Sequence, residues 1–249
     1  MSALVGTPSD DVPAILAAGR SGVGCIFVSM STRHPEGRDV DYLSWHTNDH
    51  RPEQHRLESV RASLRLVSTP DCRTARAAAR ERYDDVDHVM TYFFRDMTGL
   101  EEFETLSVAL GDAGRKPYLL PAVQRSVYQL AGAAAAPRVK VGADVLPWWP
   151  AQGVFLLLER GQTSPEDLVD VPGVGGAWWG SGVALDLPDA KADASGLQIT
   201  YCFLDGDPVT TADRLRPRLE KRWDETGSAA LFAAPFFTLI PQDLTRYLP

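Results

Sequence analysis

Several things are scarce in this sequence, and each scarcity removes a class of function. Cysteine occurs three times, at Cys25, Cys72 and Cys202. The three lie far apart with no CxxC pair, which excludes a disulfide framework and a cysteine metal knuckle. Cys25 and Cys202 fall inside strand-like runs and are expected to be buried as small hydrophobes. Long apolar runs are missing too. The longest, GVFLLL and ALFAAPFFTLIP, fall well short of the ~20 residues a membrane span needs. Basic clusters are few against a net charge of -8 and a pI near 5.1. The densest, RLRPRLEKR at 214–222, alternates with leucine at helical spacing and is expected to be a solvated helix face. A nucleic-acid binder needs a basic stripe to neutralise phosphate, so that class is set aside. The N-terminal stretch has acidic residues where a secretion signal carries basic ones, and a cytoplasmic location is expected.

What remains is an ordinary globular composition: 249 residues, 44% apolar and 23% charged, enough for one large or two small domains. A polar leader is followed by GVGCIFVSMST (22–32), rich in β-branched and aromatic residues, which predicts a strand. Val40, Tyr42, Leu43 and Trp45 predict an amphipathic helix over 39–50, stopped or kinked by Pro52. Residues 59–69 alternate with period two over Val60, Ala62, Leu64 and Leu66, a half-buried strand. A short helical insertion is expected over 72–83, a third strand over 87–96, and a helix after Thr98 with Glu101 and Glu102 in its first turn. PYLLPAVQRSVYQLAG closes the unit with a fourth strand.

The same succession then repeats. Residues 20–132 form a first β-α-β-β-α-β unit, 133–152 an Ala-, Gly- and Pro-rich linker with Trp148 and Trp149 packed onto a domain, and 153–249 a second unit. In that second unit Ser164 and Pro165 open a short helix, and a longer helix spans 210–223. This order is the ferredoxin-like plan, whose four-stranded sheet leaves one face bare. The predicted fold is therefore α+β: two ferredoxin-like units packed sheet to sheet within one chain as an α+β barrel. The sheets' remaining edges leave room for a homo-oligomer.

DYLSWHTNDHRPEQHRLESVRASLRL (41–66) resembles the dimeric α+β barrel superfamily, and within it the EthD-like and stress-responsive members. Their Trp-Tyr/His-x-x-Asp/Glu-His-x-Pro-Glu stretch reads here Trp45-His46-Thr47-Asn48-Asp49-His50-Arg51-Pro52-Glu53. The second half lacks it, so any histidine site should occur once per chain. The resemblance implies a cavity between sheet and helices and puts His50 at the family's histidine position. It leaves the reaction open among cofactor-free monooxygenases, lactone isomerases, polyketide cyclases, dehydratases, lyases and the haem-binding chlorite-dismutase-like and dye-peroxidase groups. A haem ligand would be expected near the second helix of a half, where TGLEEFETLSVAL and ADRLRPRLEKRW contain no histidine.

On a helix, Tyr42, His46 and His50 form one row and Trp45 and Asp49 the row beside it. An imidazole in an apolar cavity can take and return a proton near neutral pH without a cofactor. His50 is thus the candidate acid/base, with His46 and Tyr42 as second donors and Asp49 or Glu53 fixing the ring. Trp45, Glu53, Tyr92 and Phe94 are the candidate substrate contacts. His46 and His50 have the spacing of zinc helices, yet HTNDH lacks the glutamate of the protease motif and His55 lies beyond Pro52, so no metal is expected. His34, His55 and His88 are read as turn, surface and strand-edge residues. GVGG and GSG lack the context of a phosphate loop or a nucleophile elbow, and their glycines fit a bulged, closely packed strand. The expected function is a cofactor-independent enzyme acting on a small apolar, aromatic or polyketide-like molecule by histidine acid/base chemistry of the lyase, isomerase, cyclase or dehydratase type. The alternatives are a catalytically silent binding or structural protein whose aromatics fill its own cavity, and a cofactor-free monooxygenase.

Overall fold

Period-two alternation gives each strand two apolar faces with different partners, and the architecture follows from burying both. The computed structural model describes residues 4–16, 19–184 and 194–246. Residues 185–193 and 247–249 of the expected second unit lie outside the described residues. In chain order the elements are α1 (Pro13–Leu16), β1 (Cys25–Ser31), α2 (Asp39–Trp45), a π-helical turn (His46–His50), α3 (Arg51–Gln54), β2 (Val60–Val67), α4 (Pro70–Thr74), β3 (Ala78–Ala79), β4 (His88–Phe94), α5 (Gly99–Asp112) and β5 (Ala122–Ala135). There follow β6 (Gly153–Arg160), β7 (Val174–Val183), β8 (Leu197–Leu204), α6 (Pro208–Thr226) and β9 (Ala229–Thr238).

The strand order is β2-β4-β1-β5-β7-β8-β6-β9, and β9 returns to β2 through Leu66↔Thr238 and Val67↔Phe237. This closes an antiparallel barrel of two ferredoxin-like halves, each with its second strand at one border and its fourth at the other. Closure pairs, within one chain, the edges that separate halves would expose. β3 adds a short pairing to β9 at Ala78↔Ala233.

The inward face collects Ile26, Val28 and Met30 of β1, Phe93 of β4, Trp178 of β7, Tyr201 and Phe203 of β8 and Phe236 of β9 into one core. Phe93 meets Trp178 edge-on at 5.6 Å, and the Tyr201 hydroxyl pairs with Thr91 Oγ1 at 2.8 Å. These aromatics fill the barrel. The outward face of the second half is covered by α6, whose Leu215 and Leu219 pack on Phe155, Leu157 and Cys202. Asp207 caps α6 by accepting from the Thr210 N–H at 2.9 Å, and Gly227 ends it at φ 67°. All three cysteines are buried free thiols.

Three local expectations change. β5 runs to Ala135, so the first residues of the expected linker pair with β7 instead (Ala133↔Trp178, Ala135↔Gly176). Beyond them a 3-10 turn, Ala143–Trp148, buries Leu146, and Trp149 packs on the core, but Trp148 is 46% exposed. The insertion at 72–83 is α4, β3 and the start of a 3-10 turn, and the helix after Ser164 is only a 3-10 turn, Glu166–Asp170. The glycines of β7 are the packed, bulged positions expected, with a register shift between Val174 and Gly176. A Cβ on Gly176 would stand 2.8 Å from the Ala134 carbonyl oxygen and overlap Leu146 Cδ1. Gly176→Ala should therefore cost about 1–3 kcal/mol in chemical denaturation; an unchanged midpoint would show that β7 can shift to make room.

Candidate active site

The helix over the first half's sheet does not stop at Pro52. Proline has no N–H to donate and its ring crowds the carbonyl four residues back. The chain accommodates it with a π turn, in which the Arg51 N–H reaches back to the His46 carbonyl, and α3 then carries the helix on to Gln54. The widened turn makes both i+4 and i+5 side chains neighbours. The His46 ring lies 5.7 Å from Tyr42 and 5.3 Å from His50, and His50 lies 5.0 Å from Trp45.

Under this helix lies a cavity of about 90 Å³. Its floor is the outward face of the sheet: Phe27 and Ser29 of β1, Arg65 of β2, Met90 and Tyr92 of β4, and Arg125 of β5. Tyr42, Trp45, His46 and His50 form the roof, and Phe103 and Glu104 of α5 one wall. Five of the sequence candidates therefore meet here: Tyr42, Trp45, His46, His50 and Tyr92. Three do not. Asp49 and Glu53, expected to hold a histidine ring, both face Arg115, at 2.6 and 3.2 Å. Phe94 packs edge-on against Phe103 at 5.3 Å in a neighbouring apolar cluster and does not line the cavity. Phe94 points outward as Tyr92 does, but one turn of the pleat farther along.

The histidines sit in a setting that disfavours charge. His46 is 6% exposed, and its ring makes no hydrogen bond to another described residue. Burial first, then the positive charges of Arg65 and Arg51, hold it well below the ordinary imidazole range. His50 is pushed down to about 4, chiefly by burial, then by Lys116 and Arg65, with Asp49 opposing. Gln54 Nε2 stands 3.4 Å from His50 Nε2, while His50 Nδ1 is buried with no hydrogen-bond partner. At pH 7 both rings are neutral, so the neutral-pH titration expected of a free histidine moves to acid.

Sequence reasoning missed a second group. His88 is not a strand-edge residue: it is fully buried, with Nε2 2.8 Å from Asp39 Oδ1 and its ring edge-on to Tyr42 at 5.8 Å. Burial would raise the Asp39 carboxyl, but hydrogen bonds from His88 and the His34 N–H (2.9 Å) hold it low. This pair pins the start of α2 to the sheet. Arg65 was also missed, although the sequence held a signal for it. Leu64 and Leu66 face the barrel core, so period two turns Arg65 to the helix-covered face. Arg65 is 3% exposed and donates to the Tyr42 hydroxyl at 2.8 Å.

Among the described residues the second half has no matching group: its outward face is covered by α6, and a 3-10 turn stands in place of α2. Among the described residues no three of His, Cys, Asp and Glu are placed to hold a metal ion. α5, the wall where the resemblance would place a haem ligand, carries no histidine.

No protein-family model matches this chain, and no curated protein is similar to it in sequence. Among solved structures it is similar to an anthrone oxidase-like protein, at 11% identity over 89% of this chain and 94% of that one, with a TM-score of 0.46. It is also similar to chlorite dismutase from Candidatus Nitrospira defluvii (11% identity, 93% and 98% covered, TM-score 0.48). A dye-decolorizing protein from V. cholerae stands at 11% identity, 92% and 99% covered, and a TM-score of 0.46. The strand order, rather than these likenesses, defines the fold.

Among the described residues no helix is long and apolar enough to cross a membrane.

Proposed function

We propose that this cavity is a small-molecule site in which His50, with His46 beside it, takes a proton from a bound substrate and returns it. The observation that carries this is the pairing of two neutral imidazoles in one cavity of mixed polar and aromatic lining, with His50 Nδ1 lacking any partner. A buried polar atom left unpaired is costly, and a site that keeps one has a use for it. Gln54 sets which nitrogen works. With its amide N–H on His50 Nε2, the Nδ1–H is a donor for a developing oxyanion. Turned so that its Oε1, also buried and unpaired, faces Nε2, it leaves Nδ1 as the base. Tyr42, held by Arg65, stands as a second hydroxyl beside His46. Proton removal beside a carbonyl and its return elsewhere is the common step of the lyase, isomerase, cyclase and dehydratase reactions. The chain would do this as the chemically equipped half of a diverged pair, and the superfamily resemblance of residues 41–66 supports the same address.

The test is an NMR titration of the five histidines against small aromatic and polyketide-like ligands. His46 and His50 should shift on binding, while His34 and His55, outside the cavity, stay put. A ligand that binds the protein and leaves both cavity histidines unmoved would place function elsewhere.

A further inference from the structure

We infer that the cavity seats its ligand by a carboxylate on Arg65, so that the substrate class is a small organic acid with an apolar or aromatic body. This rests on the proposed site and names what fills it. Arg65 sits on the floor, 3% exposed, and forms no ion pair with any described residue. Its Nη2 donates to the Tyr42 hydroxyl, its guanidinium lies over the Tyr42 ring at 5.1 Å, and its Nε is buried without a partner. Among the described residues the other two buried arginines are matched by carboxylates: Arg222 by Glu159 at 2.6 Å and Arg76 by Asp84 at 3.2 Å. A cation removed from water with no counter-charge is strongly disfavoured unless something supplies that charge.

The surroundings point to an anion. Arg51 and Lys116 act on the cavity histidines from the helix and from the loop after α5. Glu104 is the one carboxylate among the lining residues, and Arg65 makes no ion pair with it. Tyr92 adds a hydroxyl that is buried, unpaired and kept protonated by burial. Ser63 is its cross-strand partner, which puts Tyr92 diagonally beside Arg65 on the same face. Two unused donors, Arg65 Nε and Tyr92 Oη, thus lie on one floor, and each can donate to a carboxylate oxygen. Phe27, Met90, Phe103 and Trp45 supply the apolar remainder. An anion placed here would also cancel the Arg65 field on His46 and His50, so its binding should draw in a proton.

The experiment is calorimetry and NMR on the full chain with benzoate and its neutral counterpart benzamide, for the wild type and Arg65→Met. Wild type should bind benzoate at least tenfold more tightly than benzamide. Arg65→Met should lose that preference while keeping its benzamide affinity, which shows that the cavity survives. It should also melt no lower than wild type, because an uncompensated buried charge is gone. As a second measure that needs no variant, benzoate should raise the His50 titration midpoint, and buffers of different ionisation enthalpy should report proton uptake at pH 5. Equal affinity for the two ligands, no binding of benzoate, or a preference that persists in Arg65→Met would overturn the inference. A benzoate preference with unmoved cavity histidines would keep the anchor and sink the proton-transfer role. Histidine shifts with benzamide but no gain from the carboxylate would do the reverse.

Discussion

Replacing His50 with glutamine should slow proton exchange at the carbon of a bound substrate by about 10²–10⁴-fold, the usual share of a general acid or base. The assay does not require the final product. A ligand found by the histidine titration is held with the protein in D₂O, and deuterium entry at its acidic carbon is followed by NMR. Glutamine keeps a polar group of similar bulk against Trp45 and Gln54, so binding should change little and the loss should fall on the rate. His46→Gln should cost less, because His46 borders the cavity without a fixed hydrogen-bond partner. The pH profile separates a base from a bystander. A working base must be neutral, and His50 in the free protein titrates at about 4, so the rate should hold through neutrality and fall only as pH drops toward that value. A profile that breaks near 6.5 would assign the chemistry to an exposed imidazole instead. A His50→Gln variant that exchanges at the wild-type rate would remove His50 from the mechanism.

The folded state should lose at least about 2 kcal/mol of stability between pH 7 and pH 4.5. His50 lies at about 4 in the folded protein against an ordinary 6.5, and burial likewise lowers His46 and His88. The folded pKa is the lower one, so the unfolded chain binds the extra proton between the two values. Each such group's stabilisation is complete above about pH 6.5 and disappears as pH falls toward its folded value. At pH 5 His50 alone accounts for about 2 kcal/mol, from 1.36 kcal/mol per pH unit over the first 1.5 units. Asp39, held low by His88 and the His34 N–H, loses its contribution only farther into acid. Denaturant midpoints measured across this range should slope downward, and His50→Gln should flatten the slope by about 2 kcal/mol between pH 7 and pH 5. A wild-type curve already flat over that range would mean that the cavity histidines are solvated.

The fold was legible because its signals are local and repeated. Alternating runs marked the strands, and the repeated succession of elements implied two ferredoxin-like units that must cover each other's sheets. The closure register was not legible: Leu66 and Val67 meet Thr238 and Phe237 across some 170 residues of chain, and nothing in either segment names the other. At the site, helical spacing placed Tyr42, Trp45, His46 and His50 on neighbouring rows, and all four line one cavity although the turn from His46 to His50 is π rather than α. The carboxylates misled because sequence shows proximity along a helix and not the third party: Arg115, in the loop just after α5, takes both Asp49 and Glu53. His88 and Arg65 were readable only through strand phase, since one residue of slip exchanges the core face for the helix-covered one.

The short seam between β2 and β9 makes the two halves interdependent. The Leu239 N–H donates to the Arg65 carbonyl at 3.0 Å, and Phe237, Leu239 and Leu244 pack around Tyr42, Leu43 and Val67. The half without this cavity is thus a buttress, bracing from behind the very strand that presents Arg65 and the helix that carries Tyr42. The cavity-bearing half should not survive excision with its cavity intact, and sequence change near Phe237 to Leu244 should reach the cavity through this short joint.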